Sequence, residues 1–335
     1  MNLNKRIKKA SLLATVSAVS ALGLVGQAQA GVYGLAYLSV RDLTINIGGV
    51  VGDPSPITTF NFDTQNTAQV NGVGALTLGS CANASCTGLP PVDAAPAQVG
   101  TAQANNHFAL LGPGGGDYSR SDSVIYSAQL GNGIPTNAEN IVESNLVTGT
   151  SASGTSTLGS TTGFAFTFFA GGPGTLDLNF SADVDLAAVI NDATAAAASS
   201  QASVSMQFKL RNDATGDFIL WNPTTTGAGD ATCSDATALG LGVTCVTQTV
   251  AQNLNTNVGV STVPGSADEY SVGDGFFGDY FLSLVFADAG QYTLTFAETK
   301  STLLSRTPIP EPASLFLLGT GLLGMGFARK AKKQA

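Results

Sequence analysis

The chain has 335 residues, a formal net charge of −9, only 11% charged residues, and as many as 40 glycines. That length accommodates one large domain or two smaller ones. The scarcity of charge and its negative sign argue against a partner bound through phosphate backbones, so nucleic acid is excluded from the expected partners.

The first 30 residues carry an export signal. Lys5, Arg6, Lys8 and Lys9 form a basic start, Ala10 to Val25 is apolar and small, and Ala28-Gln29-Ala30 supplies the small residues that a signal peptidase requires. Cleavage is expected before Gly31, after a signal helix within 1–30. The exported region is then 31–307. It holds six Lys and Arg against 22 Asp and Glu, a net charge of −16. Cations and neutral polymers such as glycans suit this surface better than polyanions.

Period-two patterning dominates this region. Leu43 to Ile47, Phe164 to Phe168, Leu176 to Ser181, Val204 to Leu210, Tyr280 to Phe286 and Tyr292 to Phe296 each alternate apolar with small polar residues. Each predicts a strand with one buried face. Turn signals fall between them: Asn71-Gly72, Gly112-Pro113-Gly114, Gly131-Asn132-Gly133, Gly171 to Gly174, Asn212-Asp213 and Thr215-Gly216. The expected fold is all-β, an antiparallel β-sandwich of jelly-roll type. Thr148 to Gly163 reads as a flexible loop or linker where an N-terminal part and a C-terminal sandwich can divide. Alanine-rich Ala193 to Ser200 reads as a short helix or a long hairpin tip.

Four cysteines in an exported chain point to disulfides, with three pairings open. Local pairing, Cys81 with Cys86 and Cys233 with Cys245, staples one surface loop each and is preferred. A zinc site fits this spacing poorly.

Candidate chemistry is sparse. His107 is the single histidine and lies in a polar loop beside Asn105-Asn106. No nucleophile elbow, phosphate loop or zinc-protease helix is present. Asp183 and Asp185 form a carboxylate pair, but a glycosidase needs a defined separation across a cleft. The stretch Gly273 to Asp279, following Asp268-Glu269, makes Asp268, Asp274 and Asp279 calcium candidates without the helical calcium-loop spacing. Arg120 sits between Asp117 and Asp122, as an ion pair ordering a loop or as a polar recognition loop. Trp221, just before Asn222-Pro223, is core or rim.

The C-terminus mirrors the N-terminus. Pro310-Glu311-Pro312 precedes an uncharged run of 16 residues, 313–328, followed by Arg329, Lys330, Lys332 and Lys333. As a helix this run reaches about 24 Å, just enough to cross a membrane with the basic residues at the cytoplasmic interface. The residues 308–335 resemble the PEP-CTERM sorting signal of exported bacterial proteins. The resemblance implies recognition of Pro310, Glu311 and Pro312 by a membrane-embedded exosortase. It also implies a transient membrane intermediate, and delivery to the surface or matrix of a Gram-negative cell that makes exopolysaccharide.

These readings favour a structural or adhesive surface protein, not an enzyme and without a cofactor. A carbohydrate- or calcium-binding lectin-like module is the alternative, and a secreted hydrolase the least favoured. The expected partners are exosortase, the secretion machinery, the membrane before processing, and exopolysaccharide.

Overall fold

The structure, a computed structural model, describes residues 31–48, 59–82, 92–114, 116–126, 135–158, 164–191, 195–224, 227–230, 232–240, 242–261, 264–271 and 277–308. Among these residues no helix occurs. The strands are β1 (Val32–Gly48), β2 (Thr59–Val70), β3 (Val73–Ala82), β4 (Val92–Val99), β5 (Tyr118–Ile125), β6 (Thr136–Leu146), β7 (Ser151–Leu158), β8 (Phe164–Ala170) and β9 (Gly174–Ile190). They continue as β10 (Ala195–Asn212), β11 (Phe218–Trp221), β12 (Gly227–Asp230), β13 (Ala236–Leu239), β14 (Val243–Val250), β15 (Thr256–Ser261), β16 (Ser266–Ser271), β17 (Gly278–Phe286) and β18 (Gly290–Pro308).

Two antiparallel sheets pack face to face. One runs β12-β14-β17-β9-β1-β6-β5-β4, with β16 also paired to β9. The other runs β13-β11-β10-β18-β7-β2-β3, with β15 beside β10 and β8 beside both β18 and β2. With nine strands in each sheet among the described residues, this is the all-β antiparallel arrangement that the alternating segments predict.

The alternating segments form the core as their period requires. Leu176, Leu178 and Phe180 on β9 meet Val204, Met206, Phe208 and Leu210 on β10 and Tyr292, Leu294 and Phe296 on β18, all buried in one cluster. Their neighbours Asp177, Asn179, Ser205, Gln207, Thr293 and Thr295 lie on the opposite faces and are partly or fully exposed. Rings interlock there: Phe180 stacks on Tyr280 at 4.7 Å, and Phe208 contacts Phe296 at 4.9 Å. Trp221 is fully buried against Phe208 and Phe180, so it is core and not rim.

A bulge explains why the alternation in β1 comes in pieces. Pairing shifts between Val40 and Leu43, where Asp42 has φ 54°. Inward residues are even-numbered before it (Ala36, Leu38, Val40) and odd-numbered after it (Leu43, Ile45, Ile47). The Asn71-Gly72 turn joins β2 to β3 with φ positive at both residues, 49° and 83°, as a two-residue hairpin of primed type demands.

Two expectations are corrected. Within Thr148 to Gly163, residues Ser151–Leu158 form β7, hydrogen-bonded between β18 and β2 and not a loop. Ala195 to Ser200 opens β10, paired to β18, and is neither helix nor hairpin tip. Both stretches are rich in small residues whose weak local preferences are overridden by pairing with neighbouring strands.

Candidate functional site

The outer face of the β10–β18 sheet is built by alternation. Because Ala202, Val204, Met206 and Phe208 point inward, Gln201, Ser203, Ser205 and Gln207 point outward. On β18 the outward residues are Thr299, Ser301, Leu303 and Ser305. Hydroxyls pair across the strands, Ser199 with Ser305 and Ser203 with Ser301, each at 2.7 Å. The face continues onto β15, where a shallow groove is lined by Ser199, Gln201, Asn257, Gly259, Ser261 and Asp268. This surface offers hydroxyl and amide groups with almost no charge.

Asp268 borders that groove and accepts a hydrogen bond from Gly259 N at 2.9 Å. The structure does not bring it to Asp279. Asp268 lies opposite Ala188 of β9, whereas Asp279 lies opposite Ser181. Seven residues along a strand separate them by roughly 24 Å. Asp279 instead accepts from Ser181 Oγ at 2.9 Å. Asp274 lies outside the described residues. Among the described residues no group of three or more His, Cys, Asp or Glu is placed to hold a metal.

Arg120 is not in a loop. It lies on β5, every residue of which is buried, and its ionic partner is Glu143 of the neighbouring β6. Residues 105–112, between β4 and β5, fold over the outer face of this sheet, where Phe108 packs on Tyr33, Leu35, Ile141 and Val189. The pair holds that segment in place. Arg120 donates to His107 O at 2.9 Å and Ala109 O at 2.6 Å. Glu143 accepts from Leu111 N, Gly112 N and Tyr33 OH. Burial, then the Glu143 carboxylate, drives the Tyr33 hydroxyl well above its ordinary pKa.

His107 is an exposed residue of this covering segment, and its backbone N donates to Asp122 Oδ2 at 3.3 Å. Burial raises the Asp122 pKa to about 6, against the lowering effect of hydrogen bonds from His107, Ser123 and Asn106. Asp183 and Asp185 lie on β9 opposite Ser39 and Tyr37 of β1. The Tyr37 hydroxyl donates to Glu139 Oε1 at 2.6 Å, and Tyr126 to Glu139 Oε2 at 2.8 Å.

Cys233 and Cys245 form a disulfide with Cα atoms 6.1 Å apart, as the local pairing predicts. Asp230 gathers the residues on either side of Cys233, accepting from the backbone N and the hydroxyl of both Thr232 and Ser234. Those bonds, from the Thr232 hydroxyl first, hold its carboxyl well below the usual range. The Cys81 side chain and Cys86 lie outside the described residues.

One cluster escaped the sequence reading altogether. The inner faces of β6 and β18 carry Asn140, Ser144, Glu298, Lys300 and Thr302, all at most 2% exposed, inside the sandwich. Ser144 Oγ and Thr302 Oγ1 are 2.8 Å apart, and Asn140 Nδ2 reaches Glu298 Oε1 at 3.5 Å. Lys300 Nζ contacts the same Glu298 oxygen. Burial drives the Lys300 pKa well below its ordinary value. The signal was present: the inward parity of Tyr292, Leu294 and Phe296 continues through 298, 300 and 302.

Ala28, Ala30, Pro310, Glu311, Pro312 and the run 313–328 lie outside the described residues. Among the described residues no helix is long and apolar enough to cross a membrane. The last strand ends at Pro308, where the match to a family model begins: residues 308–330 match the PEP-CTERM protein-sorting motif. The motif marks an exported protein sorted by exosortase. No curated protein matches the chain. A solved structure of infectious bursal disease virus Gx strain is 11% identical over 84% of this chain and 67% of that one, with a TM-score of 0.09, and carries no argument about fold.

Proposed function

We propose that the exported sandwich is a structural or adhesive component of the exopolysaccharide matrix at the surface of a Gram-negative cell. The sorting motif at 308–330 is the observation that carries the reading, because it sends the whole sandwich out of the cell. The outer face of β10 and β18 supports it further. Closely spaced hydroxyls and amides with few charges match the hydrogen-bonding groups of a neutral glycan. A lectin-like reading is favoured by one feature, the polar groove between β10 and β15 beside Asp268.

Fractionation of cells into membrane, periplasm, surface and medium tests the sorting. Glu311→Gln should leave an unprocessed form in the cytoplasmic membrane, and normal release of a normal-mass variant would refute recognition through Pro310-Glu311-Pro312. Retention of the purified protein on its own cell's exopolysaccharide tests the face. Ser203→Glu and Ser301→Glu together should weaken retention if the hydroxyl face binds. Unchanged retention would remove that face from the proposal, while loss confined to Asn257→Ala and Asp268→Ala would favour the groove.

A further inference from the structure

We propose that Lys300 and Asn140 are joined by an intramolecular amide bond, formed within the folded chain with Glu298 as the proton-transfer group. The three side chains meet between the sheets. Asn140 projects from β6, and Glu298 and Lys300 project from β18. Asn140 Nδ2 lies 3.5 Å from Glu298 Oε1, and Lys300 Nζ contacts that same oxygen. The facing strands keep step. Ser144 meets Thr302 just as Asn140 meets Glu298, so Lys300 is held between two fixed cross-sheet contacts.

As a purely structural cluster this arrangement is poorly satisfied. Lys300, Glu298 and Asn140 are each at most 1% exposed. Among the described residues, Asn140 Oδ1 and Glu298 Oε2 have no hydrogen-bond partner, and Lys300 Nζ has none besides Glu298. An ammonium with three donors and one acceptor, shut away from water, is a costly end state. Apolar side chains flank it and offer no acceptor: Val204 and Met206 neighbour Lys300 and Glu298 on β10, and Val142 lies between Asn140 and Ser144. The nearby Asn66 is different. Its Nδ2 donates to Ala94 O and Ala95 O, and its Oδ1 accepts from Ser123.

The chemistry balances without an external reagent. Burial favours transfer of the Lys300 proton to Glu298, leaving a neutral amine and a neutral acid. Rotation of the Asn140 amide turns its Oδ1 toward the acid, which then donates a hydrogen bond and polarises the carbonyl. The Nζ lone pair attacks Cγ of Asn140 and forms the C–N bond. The proton shed by Nζ passes through Glu298 to Nδ2, the Cγ–Nδ2 bond breaks, and ammonia leaves. An ion pair with a side-chain amide becomes a neutral secondary amide, and the buried charge disappears. The bond ties one sheet to the other at β18, the strand that leads into the sorting motif. Load applied at that end would cross the sandwich through a covalent link.

Intact-mass measurement of the purified exported protein, after reduction of its disulfides, reads the bond directly. The expected mass is below the sequence mass by one ammonia, about 17 Da. A protease digest should contain a branched peptide joining the Asn140 and Lys300 segments. Lys300→Met, Asn140→Ala and Glu298→Gln should each restore the full mass, and Glu298→Gln should do so while keeping the volume of the site. The wild-type measurement stands even if a variant does not fold. A full-mass wild-type protein yielding separate Asn140 and Lys300 peptides overturns the proposal, and a branched peptide through Asn66 overturns the choice of partner.

Discussion

Glu143 holds Arg120 at 2.8 Å, their side chains 0% and 1% exposed, and this pair fastens the 107–112 backbone over the sheet. Four other donors or acceptors from that segment converge on the two residues. The pair is therefore an internal strut and not a recognition surface.

Removing one partner should strand the other charge in a dry site. Glu143→Gln or Arg120→Met should each cost about 3–5 kcal/mol, while Arg120→Met with Glu143→Leu should cost less than the two singles combined. Urea midpoints for the three variants measure this. Singles with wild-type midpoints would show that the strut carries no stability.

Asp122 should impose a pH dependence. Its folded pKa, about 6, lies above the ordinary carboxylate value, so the folded protein binds this proton more tightly than the unfolded chain. The associated stability is full below the unfolded pKa and is lost as pH rises through about 6, by no more than about 2–3 kcal/mol. Asp122→Asn, neutral at every pH, should flatten the Tm profile across this window. A variant with the wild-type slope would assign the dependence to another group.

Core parity is tested on neighbouring residues of β10. Phe208 is 2% exposed and touches three aromatic rings, Phe180, Trp221 and Phe296. Phe208→Ala should cost about 3–5 kcal/mol through lost burial and a cavity. Gln207 points outward and donates one hydrogen bond to Asn222, so Gln207→Ala should cost about 1 kcal/mol or less. Reversed order in the two denaturation midpoints would invert the assigned faces.

The Cys233–Cys245 bond closes a loop of sequence separation 12. Cys233→Ser with Cys245→Ser should lower stability by about 2–3 kcal/mol. Because Asp230 still gathers Thr232 and Ser234, the loss should appear in thermal stability and not in the circular-dichroism spectrum. Non-reducing peptide mapping should link Cys233 to Cys245, and a Cys81–Cys233 peptide would contradict the structure.

Strands with one oily face were legible from residue order. Leu176 to Phe180 and Val204 to Leu210 contrast apolar with polar at every step, and that contrast alone assigns their faces. β5 was not legible. Its residues Tyr118-Ser119-Arg120-Ser121-Asp122-Ser123 bury both faces, one against the Thr67 carbonyl and the Asn66 amide and the other under residues 105–112. No apolar stripe survives in such a strand, so it resembles a polar loop. β7 escaped for a related reason, since its small polar residues gain strand structure only from β18 and β2.

Local order in the chain therefore determined what depends on neighbours in sequence: the alternating core strands, the Asn71-Gly72 turn, the Cys233–Cys245 staple, and the sorting motif that is read as a linear signal. Tertiary structure alone decided which buried polar groups meet. Arg120 lies nearer in sequence to Asp117 and Asp122 than to Glu143, yet pairing of β5 with β6 sets Arg120 directly opposite Glu143. Asn140 and Lys300 are brought together only because two sheets close face to face. The physical reason is range. Hydrophobic periodicity is a property of a single strand, whereas charge pairing and proximity of reactive groups depend on which strands become neighbours, and that is settled by the packing of the whole chain.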